Sequence, residues 1–152
     1  MNLTIDIGNT RTKIALFDGE TFVREEKFEN TDAEHLLNVV KEKEAEGLAF
    51  CSVAAENPLL VEALKQLPYP VLEVKGTTPA PVTVAYRTPE TLGADRLAAV
   101  VGAVTLKPQT DLLVVDAGTC ITYDFVDAAG NYLEAMQAAD KGDDYDMALN
   151  RR

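Results

Sequence analysis

The chain carries one strand–turn–strand pattern twice, which constrains it to a fold built from two like halves. The first copy reads Asp6-Ile7-Gly8-Asn9-Thr10-Arg11-Thr12-Lys13-Ile14-Ala15-Leu16-Phe17-Asp18-Gly19. The second reads Asp116-Ala117-Gly118-Thr119-Cys120-Ile121-Thr122-Tyr123-Asp124-Phe125-Val126-Asp127. Each copy enters from an apolar run, Leu3 to Ile7 or Leu112 to Val115, and makes an Asp-x-Gly turn beside a hydroxyl residue. Each then leaves along a second strand that ends at an aspartate. One gap, at Asn9, brings the copies into register. Asp and Gly also dominate ordinary turns, but two copies with matching flanks point beyond punctuation.

Acid, Gly and Thr at the bend between two apolar strands suit the handling of nucleotide phosphates. Phosphoryl transfer asks a protein mainly for positioning and charge neutralisation. Gly8 and Gly118 let the backbone approach a phosphate with no Cβ in the way. Thr10, Thr12 and Thr119 offer hydroxyl donors. Asp6 and Asp116 close buried strands, where an unpaired carboxylate is costly, and Mg²⁺ or a monovalent cation is a natural partner for either. Lys13 adds charge if it shares their face and meets solvent if it does not. The leading reading is an ATP-dependent phosphotransferase. No Walker A and no Gly-x-Gly-x-x-Gly pattern occurs, so neither a P-loop enzyme nor a dinucleotide binder is indicated.

At 152 residues and 47% hydrophobic content the chain is long enough for a well-packed core. Its formal charge of -11, without basic clusters, argues against nucleic acid or anionic membrane as partners. Cys51 and Cys120 form no metal-ligand or redox pattern; Cys51 reads as a core residue, and Cys120 directly follows Thr119. The N-terminus opens at once on a strand, without a basic-then-apolar leader, and no apolar run approaches membrane-spanning length, so a cytoplasmic protein is expected.

Along the chain, Asn2 to Ile7, Thr12 to Phe17 and Thr21 to Phe28 read as a strand meander. Thr31-Asp32 opens a helix whose apolar face is Leu36, Leu37, Val39 and Val40, with Lys41 to Glu46 as its solvated end. His35, the single histidine, lies on that amphipathic surface with no partner placed for catalysis. Leu48 to Val53 reads as a buried strand parallel to the first, Pro58 to Leu67 as a helix, and Val71 to Val74 as another strand. This alternation fits an α/β sandwich. Gly76 to Pro81 marks the boundary between the halves.

A helix is predicted from Ala94 to Leu106, rich in Ala and Val with Gly102 inside it, and hence buried against a neighbour. Asp95 in its first turn favours the helix dipole, and Arg96 can pair with it. The functional alternative makes Asp95 the general base for a substrate hydroxyl, with Arg96 orienting an acidic substrate through its fork of donors.

Three motifs in order carry a family resemblance: Asp6-Ile7-Gly8-Asn9-Thr10, then Tyr86 ahead of Gly93-Ala94-Asp95-Arg96, then Asp116-Ala117-Gly118-Thr119. Together they resemble the type III pantothenate kinases, of the acetate kinase–sugar kinase–Hsp70–actin superfamily, over Met1 to Leu133. The resemblance implies an α/β fold of duplicated ribonuclease-H-like, actin-like ATPase lobes. It implies ATP-dependent phosphorylation of pantothenate, the first step towards coenzyme A. It assigns Asp6, Ile7, Gly8, Asn9, Thr10, Arg11, Thr12 and Lys13, with Thr119, to ATP. Tyr86, Gly93, Ala94, Asp95 and Arg96 fall to pantothenate, Asp95 as proton acceptor. Asp116 corresponds to the ligand of K⁺ or NH₄⁺, and the family uses a divalent ion as well, for which the strand-end position of Asp6 suits a contact with Mg²⁺ through water. A homodimer is implied as well.

The lobes are expected at 1–77 and 78–152. After Leu133 the sequence departs from the family pattern, and residues 134–152 read as an acidic, polar tail that leaves the second lobe incomplete. The hairpin from Leu112 to Val126 is then expected to lack cover, and the 152-residue chain to turn over little or no substrate. The competing reading is a non-catalytic regulatory or binding protein on the same scaffold. Retention of Asp6, Asp95, Asp116 and Thr119 argues for the kinase, since a scaffold has no physical need of these groups at its bends.

Overall fold

The structure, a computed structural model, describes residues 1–8, 11–29, 33–42, 45–52, 58–85, 91–117 and 121–138. It divides into two compact units, Met1–Thr78 with Gly93–Asp95, and Pro79–Leu92 with the chain from Arg96 onward.

In the first unit, strands β1 (Asn2–Ile7), β2 (Arg11–Asp18), β3 (Thr21–Glu29), β4 (Gly47–Ser52) and β5 (Val71–Glu73) form one sheet in the order β3-β2-β1-β4-β5. The period-2 alternation of Leu3, Ile5 and Ile7, and of Thr12, Ile14 and Leu16, sends one set of side chains to a single face. There they bury with Leu48 and Phe50 against Leu36 and Val40 of helix α1 (Ala33–Glu42) and Leu60 and Leu64 of helix α2 (Pro58–Lys65). β1 and β2 are antiparallel, joined by the turn at Gly8, whereas β4 and β5 return parallel through the two helices. β3 forms one edge, and its charges pair along the strand, Arg24 with Glu26 and Lys27 with Glu25. Such a charged edge resists pairing with a further strand. The sheet's other face carries Asp6, Lys13 and Cys51 in one transverse row.

The second unit holds β6 (Thr83–Val84), α3 (Ala94–Leu106, from Arg96), β7 (Leu112–Ala117), β8 (Ile121–Val126) and β9 (Asn131–Ala138). Its sheet order is β6-β9-β8-β7, with β7, β8 and β9 antiparallel in turn. Leu97 and Val100 of α3 pack with Val126 and Tyr132, and Val114 lies partly buried beside them. The β8–β9 turn passes through Gly130 at φ 83°, a left-handed conformation suited to glycine.

The α/β class and the duplicated meander match expectation, and α3 keeps its predicted bounds. α2 stops at Lys65 rather than Leu67. Thr31 and Asp32, expected to open α1, lie outside the described residues. Two features differ. β9 continues to Ala138, so the polar run of residues 134–138 belongs to a strand that pairs with β8 as far as Ile121↔Ala138. A strand needs backbone partners more than apolar alternation, and β8 supplies them. Secondly, α3 packs against its neighbours as expected but along a narrow stripe, burying Leu97 and Val100 and leaving Gly102 exposed.

The two copies of the motif are covered differently. Aligned through the aspartates, Leu3 and Ile5 correspond to Leu113 and Val115. The first pair is 1% and 2% exposed and the second 63% and 50%. Leu16 is buried, whereas its counterpart Phe125, cross-strand from Leu113, is exposed. In the first unit α1 and α2 cover that face. In the second, α3 covers the opposite face, and β7 is an edge strand where β1 is central. Among the described residues no helix is long and apolar enough to cross a membrane.

Candidate active site

At the C-terminal end of β1, register sets Asp6 between Lys13 on β2 and Cys51 on β4. Lys13 Nζ donates to Asp6 Oδ2 at 3.3 Å, and Cys51 Sγ donates to Asp6 Oδ1 at 3.7 Å. Both Asp6 and Lys13 remain open to solvent, so their ion pair adds little stability. Its consequence is local: Asp6 has a fixed basic neighbour, which its position alone did not suggest. Burial pushes the Cys51 thiol up to about 12, helped by the charge of Asp6, the hydrogen bond to it, and the charge of Asp95, with Lys13 acting the other way. Asp95 counts with this first unit, at the start of α3. The structure thus brings Asp6, Lys13, Cys51 and Asp95 into one electrostatic neighbourhood.

The turn that follows is tight. Gly8 N–H donates to the Arg11 carbonyl at 3.0 Å, and a Cβ on Gly8 would lie 3.1 Å from that oxygen. Ile7 and Thr12 face the core, in register with each other. Thr12 therefore does not offer its hydroxyl on the Asp6 face: the strand alternation that brings Lys13 beside Asp6 sends Thr12 inward. Arg11 is exposed opposite Glu29. Asn9, Thr10, Tyr86, Gly118 and Thr119 lie outside the described residues.

In the second unit Arg96 is bound to Asp124 of β8. Its Nε donates to Oδ1 at 3.1 Å and to Oδ2 at 3.3 Å, and Nη2 donates to Oδ1 at 2.7 Å. The Tyr132 hydroxyl also donates to Asp124 Oδ1. Asp124 and Tyr132 are buried, and Arg96 is nearly so. Arg96 thus pairs with Asp124 of the sheet. Asp116 ends β7 in the open, and its cross-strand neighbour is Thr122. Thr122 is 8% exposed, and among the described residues its hydroxyl has no hydrogen-bond partner. Gly93 and Ala94 lead into α3.

Sequence reading missed Asp124 and Tyr132. The available signal was positional: Thr122, Asp124 and Val126 share one face of β8, and a carboxylate two residues from Val126 on a core face demands a partner.

Among the described residues no group of three or more His, Cys, Asp or Glu is arranged to hold a metal ion. Asp6 and Asp116 instead offer single hard oxygen donors.

Residues 2–136 match the family model for type III pantothenate kinase. The chain belongs to the type III pantothenate kinase family. It is 45% identical over 132 residues to the type III pantothenate kinase of Phocaeicola vulgatus, a match covering 87% of this chain and 54% of the relative. With that of Bacteroides fragilis the identity is 46% over 132 residues, with the same coverage. The chain therefore spans about half the length of the curated family members it matches. Among solved structures, one from Campylobacter jejuni named for the Baf family of transcriptional activators aligns at TM-score 0.54 and 22% identity, over 91% of this chain and 55% of that one. Another, from Sinorhizobium meliloti and named for 2-dehydro-3-deoxygalactonokinase, aligns at TM-score 0.53 and 12% identity, over 90% of this chain and 53% of that one. These two likenesses show the fold alone.

Proposed function

We propose that the protein phosphorylates pantothenate with ATP to give 4′-phosphopantothenate, the entry to coenzyme A. The observation that carries this reading is the family match over residues 2–136, which spans all three motifs. The segment from Asp6 to Lys13 holds ATP phosphates through Gly8, the turn backbone, Thr10 and the Lys13 charge, with Thr119 as a second contact. Thr12 contributes backbone alone, because its side chain is buried. Tyr86, Gly93, Ala94, Asp95 and Arg96 hold pantothenate. Asp95 accepts the proton of the primary hydroxyl as that oxygen bonds to the γ-phosphorus and the bond to the bridging oxygen breaks, releasing ADP.

Mg²⁺, with Asp6 as a water-mediated neighbour, supplies charge neutralisation of the phosphates when bound, and K⁺ or NH₄⁺ sits at Asp116. Residues 1–77 and 78–152 correspond to the two ribonuclease-H-like lobes. The working form is a cytoplasmic homodimer. A coupled kinase assay with pantothenate, on protein made from the native gene, tests the reading. Turnover should require ATP, vanish in chelator, and fall when Na⁺ replaces K⁺. Absence of phosphorylated product from folded protein with ATP, Mg²⁺ and K⁺ overturns it, and full activity in chelator and Na⁺ removes the cation part.

A further inference from the structure

We infer that Asp124 and Tyr132 are positioning residues that hold Arg96 to read the carboxylate of the substrate. This rests on the pantothenate reading above. An arginine in the first turn of a helix has a long side chain with many rotamers, and fixing it in one costs conformational entropy. Here the fixing is done from the sheet. Asp124 grips the guanidinium through Nε and Nη2 at 3.1 Å and 2.7 Å, which sets the plane of the guanidinium as well as its position. Tyr132 donates to the oxygen that takes both of those bonds, so Asp124 itself cannot swing.

Stability alone does not account for the arrangement. Buried ion pairs are often no more stabilising than apolar side chains of similar volume, so burial of Asp124 and Tyr132 does not by itself call for the pair. What the pair adds is direction. Pantothenate carries its reacting hydroxyl at one end and its carboxylate at the other. Asp95 and Arg96 are adjacent on α3, so a fixed guanidinium sets how far the carboxylate end lies from the proton acceptor. Loss of Asp124 would free Arg96 and blur that spacing, at a cost that falls on charged substrates alone.

The test is calorimetric titration of protein made from the native gene, with pantothenate and with the analogue carrying CH₂OH in place of the carboxylate. In the unaltered protein pantothenate should bind about tenfold tighter than the analogue, the worth of one charge-assisted hydrogen bond. Asp124→Asn should abolish most of that preference and Tyr132→Phe should reduce it, both leaving ATP affinity unchanged. Equal weakening of both ligands, or an unchanged preference, in variants that retain native circular dichroism would make the pair merely structural and overturn the inference. If Asp124→Asn does not fold, Tyr132→Phe decides. If the unaltered protein binds neither ligand, the pantothenate reading itself fails, an outcome distinct from loss of discrimination.

Discussion

Cys51 shows how a residue of no catalytic pattern acquires a chemical character from its register. Parallel pairing of β4 with β1 sets its thiol against the Asp6 carboxylate, inside the sheet. Burial and that neighbour together raise its pKa from an ordinary 9.0 to about 12. The neutral thiol is the favoured form in the folded state. Its contribution to stability is therefore complete below about pH 9 and is lost as pH rises towards 12, because the unfolded chain releases the proton first. Alkylation followed peptide by peptide at pH 8 should leave Cys51 unmodified in native protein and label it rapidly in denaturant. Rapid native labelling would mean that the Cys51 thiol is not buried in the folded protein. At Asp95 the expectation concerns turnover: Asp95→Asn should cost about 10²–10⁴ in kcat while sparing ATP binding, measured in a form of the protein with a complete second lobe. Near-normal turnover would return Asp95 to the role of a helix-start residue. Both acids were legible from the sequence because each stands in a motif. Lys13 and Thr12 were not, since only the register of β2 on β1 decides which of two neighbours faces Asp6.

Elements were legible in proportion to their periodicity. The strands β1, β2 and β4 and the helix α3 announce themselves by alternation or by an uninterrupted run of helix formers, and they fall within a residue or two of expectation. β6, two residues long, carries no periodic signal, and β9 was hidden by the polar letters Glu134 and Gln137. The Ala- and Val-rich composition of α3 foretold its burial against a neighbour but not how narrow the contact is: α3 packs along one stripe through Leu97 and Val100. Nothing lies within 4 Å of where a Cβ on Gly102 would stand. Gly102→Ala should therefore stabilise the second unit by about 0.5–1 kcal/mol, by removing freedom from the unfolded chain. Val100→Ala should do the reverse, because Val100 is fully buried among Leu97, Val126 and Tyr132. Urea unfolding followed by circular dichroism separates the two. A destabilising Gly102→Ala would show that this face of α3 is covered after all.

For the whole molecule, the duplicated motif makes its own control. The same sequence device is folded twice, once with its apolar face beneath two helices and once with that face open. Leu113, Val115 and Phe125 form a contiguous exposed strip on β7 and β8, and among the described residues β7 is an edge strand beside it. An apolar strip joined to a free edge favours self-association through that surface. The formal charge of -11 opposes association at low ionic strength and is screened as salt is added. The 152-residue chain should thus show a weight-average mass above that of a 16.5 kDa monomer by light scattering, rising with protein concentration and with salt. Val115→Lys, which places a charge on the edge strand and in the strip at once, should return the mass towards the monomer. The core of the second unit should remain unchanged, since Val115 belongs to the face that α3 does not cover. A concentration-independent monomer at high salt would show that the strip does not drive assembly. A mass unchanged by Val115→Lys would move the contact to another surface.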